Sequence, residues 1–141
     1  MSLPPGPDAR RILVVDDDPE IRRFIEAALG DSGYSVHLAA SGSEALAIAT
    51  EQRPDLILLD VRMPGVDGWQ VLDALRSAAG AQTPVVVMTA SFTGQDQALR
   101  SGAQGYLAKP FELSDLLDCV DLHSRLALDD GLRETPLPRE A

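Results

Sequence analysis

Three short runs constrain this chain more than any other feature: "ILVV" at Ile12–Val15, "LILL" at Leu56–Leu59 and "VVVM" at Val85–Met88. Each has strand length and is apolar throughout instead of alternating. A strand of that kind needs apolar cover on both faces, which is the situation in a parallel sheet with helices packed on each side. Strands are expected over Arg11–Val15, Tyr34–Leu38, Asp55–Leu59, Pro84–Thr89 and Gly105–Ala108, with segments of helical period between them.

The helical segments carry their own start and stop signals. In the first, Ile21, Phe24, Ile25, Ala28 and Leu29 follow helical spacing as one inward stripe. Gly30 and Gly33 end it. A second begins at Ser41 with Glu44 three residues on, a capping-box pattern. A third repeats that logic with Asp67 and Gln70, then buries Val71, Leu72 and Leu75. A fourth, about Gln95 to Ser101, is short and weak. A fifth runs from Glu112 to about Leu126 with Leu113, Leu116, Leu117 and Val120 inward. Strand–helix alternation with right-handed crossovers gives a doubly wound α/β sheet.

At 141 residues there is room for one domain with a core. The expected division is a loose Pro- and Gly-bearing arm over 1–9, a folded unit over 10–127, and a polar tail over 128–141. A net charge of -10 argues against nucleic-acid binding by this segment, because phosphate recognition rests on Lys and Arg. Cys119 is the only cysteine, so an internal disulfide is excluded and a cytoplasmic setting is the default. No apolar run reaches the length of a membrane span, and the N-terminus lacks the basic-then-apolar order of a secretory signal.

Doubly wound sheets place their chemistry at the carboxyl ends of the strands. Asp16, Asp17 and Asp18 stand at the end of the first expected strand, Asp60 at the third, Thr89 at the fourth, and Lys109 at the fifth. Adjacent carboxylates repel unless a cation joins them, and a hard, oxygen-liganded ion such as Mg²⁺ suits them best. With Lys109 to pair an anion and Thr89 to donate a hydroxyl, the set suits phosphoryl transfer. Asp60 is the natural nucleophile, since aspartate can attack phosphorus to form an acyl phosphate. Asp18 precedes Pro19 and is expected to cap the first helix.

These residues carry a family resemblance over about Arg10 to Leu126. "VVDDD" with Asp16 and Asp17, "LLDVRMPGVDG" with Asp60, "VVMTA" with Thr89, and "GYLAKPF" with Tyr106 and Lys109 occur in order. The chain resembles the receiver domain of bacterial two-component response regulators, of the stand-alone, single-domain type. The resemblance implies a flavodoxin-like (βα)5 fold with strand order 2-1-3-4-5. It implies that Asp60 accepts a phosphoryl group from a sensor histidine kinase or histidine phosphotransfer protein. Mg²⁺, for which Mn²⁺ can substitute, would be held by Asp17, Asp60 and the Arg62 carbonyl, with Asp16 acting mainly through water. Thr89 and Lys109 would contact the phosphoryl oxygens, Tyr106 would be the switch aromatic, and Ala90 would leave the group reachable. The Lys109–Pro110 bond would be cis. Output would pass to a downstream protein, with no nucleic acid and no membrane as partner.

Two features depart from the family pattern. The segment between Thr89 and Lys109 is short and carries Gly94 where the fourth helix begins. Arg62 either shields the acyl phosphate or leans into solvent. An aspartate-nucleophile phosphatase is the rival reading, but such enzymes usually carry a second aspartate where Arg62 stands, so the chain is expected to be a signalling receiver and not an enzyme. A docking module that keeps only the fold is a further rival, opposed by the full set of site residues.

Met63, Pro64, Gly65 and Gly68 are expected to shape a loop. Trp69 reads as a half-exposed helix residue, Cys119 as structural, and neither His37 nor His123 as a relay histidine. Leu122 and Leu126, with Cys119 alongside, share a face of the fifth helix turned away from its inward stripe. That face is either a frayed terminus or covered by the tail, or it offers a docking or dimer contact, the dimer through the face of the fourth and fifth helices.

Overall fold

The computed structural model describes residues 9–62, 67–79, 83–90, 96–98 and 100–132. The elements run β1 (Arg11–Val15), α1 (Pro19–Asp31), β2 (Ser35–Ala39), α2 (Gly42–Gln52), β3 (Leu56–Asp60), α3 (Gly68–Ala79), β4 (Val85–Thr89), β5 (Gly105–Ala108) and α4 (Leu113–Leu132). The five strands form one sheet of order β2-β1-β3-β4-β5, and every pairing is parallel. This is the doubly wound architecture that the continuous apolar runs predict.

Successive strand residues serve opposite layers. Leu13, Val15, Ile57, Leu59, Val85 and Val87 pack with Ala45, Ala49, Val71, Leu72 and Leu75 of α2 and α3. Ile12, Val14, Leu56, Leu58, Val86 and Met88 pack with Ile25 and Leu29 of α1 and Leu116 and Val120 of α4. All five residues of β3 are buried, as are all five of β4.

Several boundaries differ from expectation for local reasons. The β2 ladder begins at Ser35, opposite Arg11. Tyr34 donates its amide to the Leu29 carbonyl and so belongs to the turn that closes α1. That turn needs a left-handed residue, and Gly33 supplies it at φ 93°, while Gly30 remains inside the helix. Phe24 is not part of the core. It is 44% exposed and tilts against Phe111 at a ring separation of 6.3 Å, because Ile25 and Leu29 already fill the space over the sheet. Leu113 is likewise exposed, being the first residue of α4.

α4, the expected fifth helix, continues through Leu132, so residues 128–132 of the expected tail are helical; 133–141 lie outside the described residues. Of the expected fourth helix, residues 96–98 and 100 are helical, while Gly94 and Gln95 lie outside the described set, as do Met63, Pro64, Gly65, the arm up to residue 8 and the side chain of Leu126. Leu122 is exposed, as the sequence reading of that face requires. No helix among the described residues is long and apolar enough to cross a membrane.

The edge strand β5 is held at both ends. Gln104 donates its amide to the Val85 carbonyl at 2.9 Å and accepts the Val85 amide on its side-chain oxygen at 2.8 Å. At the far end the Lys109 amide donates to the Thr89 carbonyl at 2.9 Å. Between them, a Cβ on Gly105 would stand 2.7 Å from Nε2 of His123, so α4 lies directly on this strand.

The start of α3 approaches the end of β3 equally closely. A Cβ at Gly68 would lie 2.4 Å from both Cα and O of Val61, the residue after Asp60. Backbone cannot yield there as a flexible side chain would. Gly68→Ala is expected to destabilise the fold by about 2–3 kcal/mol, near the upper end for overpacking, read as a lower urea midpoint at unchanged slope.

Candidate functional site at the carboxyl edge of the sheet

Register brings the strand-end residues together. Val15 is level with Leu59, Asp60 with Met88, and Thr89 with Ala108. Asp16, Asp60, Thr89 and Lys109 therefore fall along one edge, and Asp16 and Asp60 continue the strand parity that faces α1 and α4.

Each acid is held differently. Asp16 is fully buried; its amide donates to the Ala39 carbonyl, Oδ1 accepts the Asp18 amide at 2.9 Å, and Oδ2 accepts from Lys109 Nζ at 3.0 Å. Asp60, buried at the end of β3, accepts the Arg62 amide on Oδ1 at 2.9 Å, and its Oδ2 lies 3.4 Å from the same Nζ. Asp17 is exposed, yet a carboxylate oxygen from each of Asp16, Asp17 and Asp60 can be chosen so that all three lie within 4.8 Å of one another. Asp18 caps α1 by accepting the Glu20 amide at 2.9 Å, as its place before Pro19 predicts. The Lys109–Pro110 bond is cis, again as expected.

Burial pushes the Asp60 carboxyl above its ordinary range, and the neighbouring Asp16 charge adds to this; the Arg62 amide and Lys109 oppose it. For Lys109, burial works against the charged form, but the hydrogen bonds and charges of Asp16 and Asp60 together outweigh it and hold the ammonium above its usual value. One ammonium thus pairs with Asp16 and Asp60, and Asp17 adds a third carboxylate to the cluster. An all-oxygen donor set with that excess of negative charge fits a hard divalent cation.

Thr89 is buried at the end of β4, and Ala90 beside it is exposed. Tyr106 projects from β5 at 41% exposure. Arg62 reaches Asp60 through its main-chain amide, while the residue itself is exposed, which fits the solvent-facing alternative. Next to Lys109 opens a cavity of about 450 Å³ walled by Ile21, Phe24, Ala90, Pro110 and Phe111. Sequence reasoning missed this wall because the helical spacing of Phe24 is that of a core residue. Cys119 is half-buried against His123, and burial pushes its thiol up to about 11, in keeping with a structural role.

A five-stranded parallel sheet of order 2-1-3-4-5, with an acid cluster where the strand order reverses, is of the flavodoxin-like class. Within that class, the sequence profile of the response regulator receiver domain matches residues 12–121, and the chain belongs to that family, the receiver domains of two-component signalling. It is 44% identical over 128 residues to Response regulator MprA of Mycolicibacterium vanbaalenii, a match covering 89% of this chain and 55% of that protein. It is 45% identical over 114 residues to Transcriptional regulatory protein PrrA of Mycobacterium tuberculosis, covering 79% of this chain and 48% of that one. The chain thus spans about half the length of the curated relatives it matches. Among solved structures, chemotaxis response regulator CheY4 of Vibrio cholerae superposes with a TM-score of 0.76 at 35% identity, covering 82% of this chain and 98% of that chain. A CheY-like receiver domain protein from Methanospirillum hungatei gives 0.80 at 27% identity, covering 87% and 99%.

The raised Asp60 carboxyl has a signed consequence in metal-free protein. Its ordinary value is 3.8, and a folded-state value above this adds stability that is complete below 3.8 and is lost as pH rises through the folded value. Asp60→Asn, which cannot ionise, is expected to raise the melting temperature of the metal-free protein at pH 7. The gain should vanish when the melts are repeated well below the ordinary aspartate range.

Proposed function

We propose that Asp60 is the phosphoacceptor of this receiver domain, in a Mg²⁺-dependent reaction with an N-phosphorylated histidine of a sensor kinase or phosphotransfer protein. The observation that carries this reading is the placement of Lys109 Nζ at 3.0 Å from Asp16 and 3.4 Å from Asp60, beside a third carboxylate. Asp16, Asp17 and Asp60, joined by the Arg62 carbonyl, would hold the ion, and Mn²⁺ can take its place. When bound, the ion offsets the charge gathered when a phosphoryl group joins these carboxylates.

A carboxylate oxygen of Asp60 attacks phosphorus; the O–P bond forms as the P–N bond breaks, and the imidazole leaves with the electron pair. Lys109 exchanges part of its pairing with Asp60 for a phosphoryl oxygen, and Thr89 donates its hydroxyl to another. Exposed Ala90 leaves the group open to the donor and to water. Tyr106, outward here, is the switch aromatic, and phosphorylation biases the domain toward the arrangement it stabilises better. Residues 10–127 act as the receiver unit, signalling from the cytoplasm to a protein target. Leu122 and its neighbours on α4 contribute to that contact or to a dimer. The acidic charge bears on this segment alone; relatives about twice as long include one named as a transcriptional regulator.

Incubation with acetyl phosphate and Mg²⁺ is expected to add the mass of one phosphoryl group, lost in Asp60→Asn and in the presence of a chelator. Lys109→Met should slow uptake by roughly a hundredfold, the scale for removing one charge-stabilising donor. Full labelling of Asp60→Asn would overturn the assignment.

A further inference from the structure

We infer that Arg22 is a positioning residue for the cation site, acting through the main chain of Asp16. Its guanidinium Nη1 donates to the Asp16 carbonyl at 2.7 Å, while its own amide donates to the Asp18 carbonyl at 3.1 Å. The backbone bond is the ordinary opening bond of α1 from its cap, whereas the side-chain bond reaches back across the β1–α1 turn. Asp16 is held at its amide, carbonyl and both carboxylate oxygens. Asp17 is not: among the described residues no hydrogen bond or ion pair fixes its carboxylate. Where that carboxylate points therefore depends on the orientation of the Asp16–Asp17 peptide, and the oxygen of that peptide is the atom Arg22 grips.

The location of Arg22 supports the same role. It stands in the first turn of α1, where the helix dipole disfavours a cation. Helix formation therefore does not account for its placement, whereas a bond across the turn does. Groups that orient metal ligands without touching the ion typically matter by 10–100-fold in affinity. The inference rests on the cation site proposed above.

Charge and position predict opposite signs. Removing a nearby cation by electrostatics alone should tighten binding of a dication, whereas loss of positioning should weaken it. Arg23, next in sequence and exposed, carries the same charge and is the control. Mn²⁺ is titrated into the full chain at pH 7 and the free ion is read by electron paramagnetic resonance, with melting temperature measured alongside. Arg22→Met is expected to bind Mn²⁺ roughly tenfold more weakly at near-unchanged melting temperature. Arg23→Met should bind as the parent does or slightly tighter. Equal or tighter binding by Arg22→Met, or equal weakening by both variants, overturns the role. If Arg22→Met proves unstable, the milder Arg22→Gln carries the same test with the same outcomes. Asp17→Asn separates the two claims: if it leaves Mn²⁺ affinity at the parent value, the cation site itself fails. If it weakens binding and Arg22→Met does not, only Arg22 fails.

Discussion

A fully buried carboxylate at Asp16 and a nearly buried one at Asp60 share a single ammonium. Taking such groups out of water is expensive, and only close pairing with good hydrogen bonds offsets the cost. The rest of the molecule can be read as meeting that condition. The parallel register sets the strand ends level, the Asp18 and Arg62 amides each occupy one carboxylate oxygen, and β5 carries Lys109 across from the far side of β4. What remains is a surplus of negative charge with oxygen atoms close enough to share an ion. The site is a place where local stability is given up for the capacity to bind.

Much of this was legible in the chain because two independent signals agree. The unbroken apolar runs of β1, β3 and β4 demand cover on both faces, and the polar residues that end them fall at one edge once the strands are parallel. The Asp18–Pro19 pair announced a helix start, and Ser41 with Glu44 announced another; both hydroxyl or carboxylate caps are present. These signals are local, so tertiary context had little room to override them.

What was not legible depended on competition for space. Phe24 keeps helical spacing with Ile25 and Leu29, but only two of the three fit over the sheet, and spacing alone cannot say which is turned out. Tyr34 has strand character, yet its amide is drawn into closing α1. The Arg22 contact had no sequence signal beyond a cation in an unfavourable turn. In sequence Gly68 signals only loop shape, whereas in the fold it sets how near α3 comes to the strand bearing Asp60.

The anchoring of β5 limits how its exposed aromatic can respond to events at the neighbouring acids. Gln104 grips Val85 through two hydrogen bonds, Lys109 grips Thr89, and Gly105 lies beneath His123 with no space to spare. Sliding the strand would break all of these at once. Tyr106 sits between the anchors on a backbone that cannot travel, so its freedom is confined to rotation about its own side-chain bonds. Such a movement is small, fast and reversible, and it changes the outer face of the sheet edge while leaving the ladder beneath it intact.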